Sequence, residues 1–466
     1  MYFVAKDQYY ALALPFGLLL LLLYFFALDK LIWLLVFFTP LAISIKNSDF
    51  GLGVSMPTEP LMAGVLLLFI IRLFYDWSFD KRFLKHPVSL AIFFSLIWML
   101  LTTITSELPI VSIKYFVSRL WFVVPFYFIM SKLIKNTQDI RKFAWLYMIP
   151  LIIVIIYTTI HHAMWGFETK AGHWVMTPFY NDHTAYGMIL AFFAPISVAI
   201  IYTKEYSRTI KTYATVAAII ITFALFLSYS RAAWLSLIGG IGVFVLIYYR
   251  IKLRYVLITT ISVVSIFLAF QNQIMDKLSK NDQDSSGNFM EHVSSASNIA
   301  TDASNLERIN RWACAIRLFK ERPIVGWGPG TYQFVYAPMQ RAKEKTIIST
   351  DFGDGGNAHS EYLGPLAEMG LFGSIAFILI AISILVTGIR VYYQTKDRST
   401  KNMVMGIIIA FVSYFIHGFL NNFLDSDKAS VPFWGFAAIL VLLDIKNQEA
   451  QKKSPTKKED DSISLP

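Results

Sequence analysis

The sequence predicts an all-α polytopic membrane protein. Its mean hydropathy is +0.54, 56% of its residues are hydrophobic and only 15% are charged, which is not the composition of an ordinary soluble domain. Apolar runs recur along most of the chain, and a helix needs about 20 such residues to cross a bilayer. The one long hydrophilic stretch, residues 271–370, is therefore predicted to be a large loop outside the membrane.

Thirteen apolar runs are candidate spans. The runs at 31–45 and 431–445 are short, so we expect about 12 or 13 transmembrane helices. The first run lacks a small-residue cleavage site and is interpreted as a span, not as a removable signal peptide. The candidates are residues 9–27, 31–45, 59–75, 88–105, 112–131, 143–162, 184–203, 210–228, 231–249, 254–270, 371–393, 403–421 and 431–445.

These runs predict a division of the chain into four parts. Residues 1–270 form the N-terminal transmembrane helices, 271–370 the large loop and 371–445 the C-terminal transmembrane helices. The tail, 446–466, is polar and mixed in charge, and we expect it to be disordered.

Lysine and arginine cluster in every second short loop, whereas the alternate loops carry almost none. By the positive-inside rule the basic loops and the tail are cytoplasmic. The stretch 271–370 and the loops 163–183 and 422–430 are then on the outer side. The net charge of +10 is thus interpreted as orientation charge and not as a nucleic-acid surface. The basic clusters lie at 81–85, 132–142, 204–211, 250–254 and 390–401.

Several common reaction centres are absent from the sequence. It contains no Gly-x-x-x-x-Gly-Lys-Ser/Thr phosphate loop, no His-Glu-x-x-His motif and a single cysteine, Cys314. ATP-driven chemistry, a zinc site and an intramolecular disulfide are therefore not expected. Asp425 and Asp427 have a spacing that some metal-dependent glycosyltransferases use, but two acids in a loop are usually solvated surface. We expect no metal and no cofactor.

Arg231 breaks the protein's own charge pattern. It follows Ser228-Tyr229-Ser230 at the outer end of a predicted span, where other short loops are nearly free of cations. A snorkelling arginine would explain it. We favour a phosphate ligand, because the planar guanidinium donates to two oxygens at once.

A second pair of cations lies on a predicted amphipathic helix. Apolar residues recur at helical spacing from Ser304, which begins a Ser-x-x-Glu capping pattern with Glu307, to Pro323, which ends the helix. Arg308 heads the apolar face and Arg311 is almost equivalent. An interfacial helix with snorkelling arginines is the alternative to an anion site.

His359 is the candidate base. Asn357 is a plausible N-cap, which would place His359 in the first turn of a helix. The positive end of a helix attracts anions and keeps an imidazole neutral. Glu361 and Tyr362 are supporting candidates.

Arg119 is a secondary candidate for phosphate binding. It lies inside an apolar run, where a charge is costly and tends to line a cavity or to meet an anion.

Three motifs in order resemble those of the O-antigen ligase and polymerase family of bacterial integral membrane proteins. They are YSRAAW at 229–234, ERINRWACAIRLFKERPIVGWGPGTYQF at 307–334 and NAHSEYLGPLAEMG at 357–370. Asn181, in Tyr-Asn-Asp-His at 180–183, resembles an asparagine-containing segment of the family, although helix capping explains it equally well. The resemblance covers roughly residues 180–420.

The resemblance implies a GT-C-like glycosyltransferase architecture in the bacterial inner membrane, with 271–370 in the periplasm. Members of the family transfer an undecaprenyl-diphosphate-linked glycan to a sugar hydroxyl of lipid A core or of another lipid-linked repeat, without a metal. Arg231 and Arg308, with Arg311 and Arg119 as further candidates, would then hold the diphosphate. His359 would orient or deprotonate the acceptor hydroxyl.

Two alternatives to an O-antigen ligase stay open. A polymerase of polysaccharide repeat units would show the same motifs. A lipid-linked glycan flippase would also be basic and rich in spans, but transporters usually show internal repeats, and no matching half is visible here.

Overall fold

The computed structural model describes residues 13–47, 52–75, 78–252, 303–345, 349 and 356–453, together with 254, 255, 262 and 265. The described chain is almost entirely helical, apart from one antiparallel hairpin in which Ile43 pairs with Met56 and Asn47 with Leu52. Residues 446–453 of the predicted tail are not disordered but form the end of a helix that begins at Asp427. Residues 454–466 and most of the candidate span 254–270 lie outside the described residues.

The elements follow in chain order. The N-terminal half contains α1 Ala13–Phe26, α2 Leu28–Phe38, β1 Ile43–Asn47, β2 Leu52–Met56, α3 Thr58–Leu73, α4 Lys81–Leu84, α5 Pro87–Ile104, α6 Pro109–Val123, α7 Met130–Leu133, α8 Thr137–Met164, α9 His183–Ile201, α10 Arg208–Leu227 and α11 Arg231–Tyr248. The second half contains α12 Ala303–Glu321, α13 Tyr332–Val335, α14 Leu363–Gln394, α15 Arg398–His417 and α16 Asp427–Lys453.

Nine helices of the described chain are long and apolar enough to cross a membrane, which confirms the polytopic all-α prediction. They are α5, α6 with α7 as one helix, α8, α9, α10, α11, α14, α15 and α16. The helix α3 has 16 residues and is about 24 Å long at the usual rise per residue.

The prediction of two separate spans at 9–27 and 31–45 is wrong. The helices α1 and α2 form one pair bent by 119°, which counts as a single tenth candidate span at most. The 11 residues of α2 reach only about 16 Å, too short to cross a hydrocarbon core of about 30 Å. Composition missed this because both halves are apolar, and the bend falls at Ala27 without a proline or glycine.

The basic loops share one end of the bundle, which we call the basic end. There the guanidinium of Arg141 lies 3.0 Å from a carboxylate oxygen of Glu205, Arg82 pairs with Glu449, and the Lys204 amide donates to Ser399 at 3.0 Å. The loops predicted to lie on the outer side meet at the other end, which we call the site end. The alternation of charge therefore matches the geometry of the bundle.

The described part of the large loop packs onto the start of α14. The helix α12 ends at Glu321, as Pro323 predicted, and Cys314, Leu318, Tyr332 and Tyr336 form a small core with it. Gly326 has a φ of 66°, and a Cβ there would lie 2.4 Å from the backbone of Glu368. Only glycine permits this close approach, which fixes the loop against α14.

Candidate active site

Residues 356–362, which we call the site segment, form turns and not the first turn of a helix. The helix α14 begins at Leu363, whereas His359 has a φ of 47°. The Asn357 side chain accepts the His359 amide at 3.0 Å, and Ser360 Oγ accepts the amides of Tyr362 and Leu363 at 3.2 and 3.3 Å. The prediction that Asn357 caps a helix containing His359 is therefore wrong, because Ser360 accepts the amides at the start of α14 and Asn357 closes a local turn.

The imidazole of His359 is neutral at physiological pH, but for a different reason than a helix terminus. Burial lowers its pKa to about 4, the charges of Arg311 and Arg308 lower it further in the same direction, and a hydrogen bond with Asn421 opposes the shift. A neutral imidazole keeps one ring nitrogen that can accept a proton.

Arg231 and Arg308, from distant parts of the sequence, converge near a second imidazole, that of His183 at the start of α9. Arg308 is half-buried on α12 and its charge also reaches His359. Arg231 begins α11, two residues after Tyr229, which has a φ of 50°. Arg308 thus acts on both histidines, and Arg231 joins it at His183.

His417, the last residue of α15, lies in the same cluster and was not among the sequence candidates. Its side chain is 1% exposed, and neither ring nitrogen has a hydrogen-bond partner among the described residues. The charges of Arg308 and Asp182 act on it, as does His183. The sequence signal that could have identified it is an imidazole at the end of an apolar run, because ionisable groups in membrane spans are usually functional. We call His183, His359 and His417, with Arg231 and Arg308, the histidine cluster.

Arg311 differs from Arg308 although it lies one turn further along α12. Its side chain is buried, its Nε donates to Glu307 at 2.8 Å, and one terminal nitrogen donates to the Asn357 carbonyl at 3.1 Å. The Tyr336 ring lies 5.3 Å below its guanidinium. Glu307 therefore pairs with Arg311 and Ser349. These contacts make Arg311 a support for the site segment. The helix begins at Ala303, and the side chain of Ser304, the predicted partner of Glu307 in a capping box, lies outside the described residues.

Glu361 and Tyr362 also support the site segment. One carboxylate oxygen of Glu361 accepts the Tyr414 hydroxyl at 2.5 Å and the amides of Phe423 and Leu424 at 2.7 and 3.0 Å. The Tyr362 ring stacks on Phe419 with 4.1 Å between ring centroids. Both side chains join the site segment to the turn after α15.

Asn181 makes no contact with the cluster that the structure records. It is exposed, whereas its neighbour Asp182 caps α9 by accepting the amides of Thr184 and Ala185 at 2.7 and 2.9 Å. The charge of Asp182 acts on His359 and on His417. Within the Tyr-Asn-Asp-His segment, Asp182 and His183 are therefore the residues directed toward the cluster.

A cavity of about 790 Å³ lies beside the site segment. Arg119 lies on its wall and is held by the Leu424 carbonyl at 2.8 Å and by the Tyr115 hydroxyl at 2.9 Å. Asp425 faces the cavity, and burial together with the charge of Glu361 raises its pKa to about 6. The cavity therefore combines a guanidinium with a carboxyl that titrates near neutral pH. Its other polar lining includes Lys114, Gln333, Asn357, Ser360, Glu368 and Asn422.

Asp425 and Asp427 do not form a pair. Asp427 is buried and accepts the Thr58 hydroxyl at 2.6 Å, whereas Asp425 accepts the Asn422 amide at 3.2 Å. Within the described ranges, no cluster of three or more histidine, cysteine or acidic side chains has the geometry of a metal site.

The segments that carry this geometry match a known family. A family model described as O-antigen ligase matches residues 216–378. The resemblance to the O-antigen ligase family is thereby confirmed. The matched range contains Arg231, Arg308 and His359, whereas Arg119 and His417 lie outside it.

A relative from Haemophilus influenzae, described as an uncharacterized protein, is 24% identical over 287 residues. The match covers 56% of this chain and 64% of the relative, which is less than two thirds of that protein's length. The O-antigen ligase match supports a membrane enzyme of the glycan ligase or polymerase type in a multi-pass bacterial membrane protein.

Proposed function

We propose that this protein is an O-antigen ligase-like glycosyltransferase. It moves a glycan from an undecaprenyl-diphosphate carrier to a sugar hydroxyl, such as one on lipid A core, and uses neither ATP nor a metal. The observation that carries the proposal is that Arg308 acts on His359 and, together with Arg231, on His183. The histidine cluster combines positive charge for a leaving diphosphate with a neutral imidazole for an acceptor hydroxyl.

In the proposed reaction the acceptor oxygen attacks the anomeric carbon of the donor sugar. The bond from that carbon to the phosphate oxygen breaks, and undecaprenyl diphosphate leaves with the electron pair. The hydroxyl proton passes to the unprotonated ring nitrogen of His359. Arg308 and Arg231 stabilise the charge that develops on the leaving oxygen.

The low pKa of His359 fits a site in which the bound donor changes the basicity of this imidazole. Burial lowers that pKa most, and the charges of Arg311 and Arg308 lower it further in the protein without donor. A bound diphosphate brings negative charge that offsets them, so the pKa of His359 rises when the donor binds. The imidazole then becomes a better base at the moment when it is needed.

We assign the cavity beside the site segment to the sugar of the donor or the acceptor. Hydroxyl-rich ligands suit a wall of amide, hydroxyl and carboxyl groups such as Gln333, Asn422, Ser360 and Asp425. Both recorded hydrogen bonds of Arg119 go to the protein. We therefore assign Arg119 to the wall of the glycan cavity and not to the diphosphate.

The experiment uses the full-length protein in proteoliposomes with a lipid-linked oligosaccharide and a lipid A core acceptor. Formation of the new glycosidic bond by wild type, and its loss in His359→Ala, is the expected result. His161→Ala is the matched control, because His161 also lies at the site end but bonds to the Val175 carbonyl at 3.0 Å. Movement of the lipid-linked sugar across the bilayer without a new bond would contradict the proposal and favour a flippase.

The glycan profile of a deletion strain separates ligase from polymerase. A ligase leaves polymer on the carrier and none on lipid A core, whereas loss of a polymerase shortens the chains to one repeat. The ligase proposal expects the first profile.

We further propose that the site end faces the periplasm and the basic end the cytoplasm, in the inner membrane. The native Cys314 is buried, so an introduced cysteine is the reactive one. A membrane-impermeant maleimide should label Asn181→Cys in cells with a permeable outer membrane, and Lys396→Cys only after the inner membrane is opened. The reverse labelling would contradict this orientation.

A further inference from the structure

A second pocket lies at the basic end, far from the histidine cluster. Its volume is about 220 Å³, roughly the volume of seven water molecules in the liquid. Four elements contribute to it, namely the region of α4, the start of α5, the end of α14 and the end of α16. Its lining residues are Arg82, Lys85, His86, Pro87, Arg390, Ile445, Gln448, Glu449 and Lys452.

The inner wall of this pocket is a fixed ion network. Asp444 is fully buried and binds Arg390 through both carboxylate oxygens, at 2.8 Å to Nε and 2.6 Å to a terminal nitrogen. Nε2 of His86 lies 3.1 Å from the same carboxylate. This network holds the guanidinium of Arg390 in one orientation at the pocket.

The rim of the pocket is positively charged. Arg82 pairs with Asp80 at 2.7 Å and also with Glu449. Lys85 and Lys452 are exposed, and the structure records no ion pair for either among the described residues. Four cations thus line the pocket, and because Arg82 and Arg390 are paired with carboxylates, Lys85 and Lys452 supply its excess positive charge.

We infer that this pocket binds the phosphate of an anionic head group. A guanidinium in a fixed orientation and exposed lysines are complementary to phosphate oxygens. The pocket lies where membrane helices end at the basic end, and basic pockets between such helices suit anionic phospholipids. The inference is independent of the glycosyl-transfer proposal, since it concerns the opposite end of the bundle.

Native mass spectrometry of the full-length protein tests this inference with cardiolipin, phosphatidylglycerol and phosphatidylethanolamine as probes. The variant is Lys85→Gln with Lys452→Gln, and the matched control is Lys204→Gln with Lys396→Gln, which removes two exposed lysines from the same end. We expect the two anionic lipids to bind wild type and control alike and the zwitterionic lipid to bind less. The pocket variant should bind the anionic lipids about 25-fold more weakly, because the loss of each lysine should weaken binding about fivefold.

Equal binding of anionic lipid by the pocket variant and the control would overturn the inference. Inorganic phosphate is the second probe, because it carries the same anion without a membrane. Displacement of the lipid by millimolar phosphate in wild type would assign the pocket to soluble phosphate and would overturn the lipid as its ligand.

Discussion

The basic end and the site end of the bundle use arginine in different ways. At the basic end Arg141 and Arg390 are each bound to a carboxylate, at 3.0 and 2.6 Å. At the site end the charges of Arg308 and Arg231 act on imidazoles, and Arg308 helps to lower the pKa of His359. A carboxylate partner links two parts of the fold, whereas a cation that lowers the pKa of a neighbouring imidazole favours the binding of an anion there. The comparison therefore separates arginines that hold the fold from arginines that prepare a site.

The largest expected effect comes from His359. His359→Ala should lower the transfer rate by about 10² to 10⁴, because no other group takes its place as base. His359→Gln keeps a hydrogen bond but is a poor base, so it should be nearly as slow. The measurement is single-turnover transfer with donor in excess, and a Gln variant with near-normal rate would remove general-base chemistry from the account.

Arg308 and Arg311 provide the sharpest comparison within one helix. Arg308→Ala should slow transfer by about 10²-fold, and Lys should restore only part of this loss, because an ammonium replaces the charge without the planar pair of donors. Arg311→Lys should instead lower thermal stability, since the buried Glu307 loses its partner at 2.8 Å. Transfer assays and melting curves of both lysine variants check this, and the opposite pattern would exchange their roles.

A variant of His417 tests whether this ring contacts the substrate or is only an unsatisfied buried group. His417→Phe keeps an aromatic ring and removes two buried nitrogens that lack partners among the described residues. The melting temperature should hold or rise, because no buried polar atom is then left unpaired. If the ring contacts substrate, transfer should fall by about tenfold, roughly the value of one hydrogen bond to a charged group. A stable variant with normal transfer would make His417 purely structural.

Arg141, at the basic end, is the control for the arginines of the site end. Arg141→Gln should lower stability by about 1 kcal/mol or less, because its partner Glu205 is half exposed and remains solvated. The transfer rate per folded molecule should stay at the wild-type level. A large loss of transfer in this variant would break the distinction between the two ends.

The sequence predicted the site's charges better than its backbone. Arg231 stood out because it broke the alternation of charge, and Arg308 because it broke the polarity of a helix face. The structure brings Arg308 near His359 and both arginines near His183. The turn of the site segment was not predictable, since Asn357 suits a helix cap and a local turn equally well. His417 was missed because its neighbours come from α9 and α12, contacts that no local pattern reveals.

The N-terminal bend shows the same limit in the fold. Hydropathy recognised that α1 and α2 are apolar but gave no signal of the 119° angle between them. Arg311 and Arg308 looked equivalent for a similar reason, because helical periodicity places both near one face. Only the tertiary contacts of Glu307 and Asn357 distinguish them.

The most direct test of a shared diphosphate site is the ring titration of His359. NMR of the histidine-labelled protein, with His359→Gln used for assignment, would follow it with and without undecaprenyl diphosphate. Without ligand the pKa should be about 4, below the usual value, because burial and the two arginine charges disfavour the charged ring. Undecaprenyl diphosphate should raise this pKa toward that of a free imidazole, and the rise should shrink in Arg308→Ala. A pKa of His359 that does not move when the diphosphate binds would contradict the placement of base and arginines around one anion.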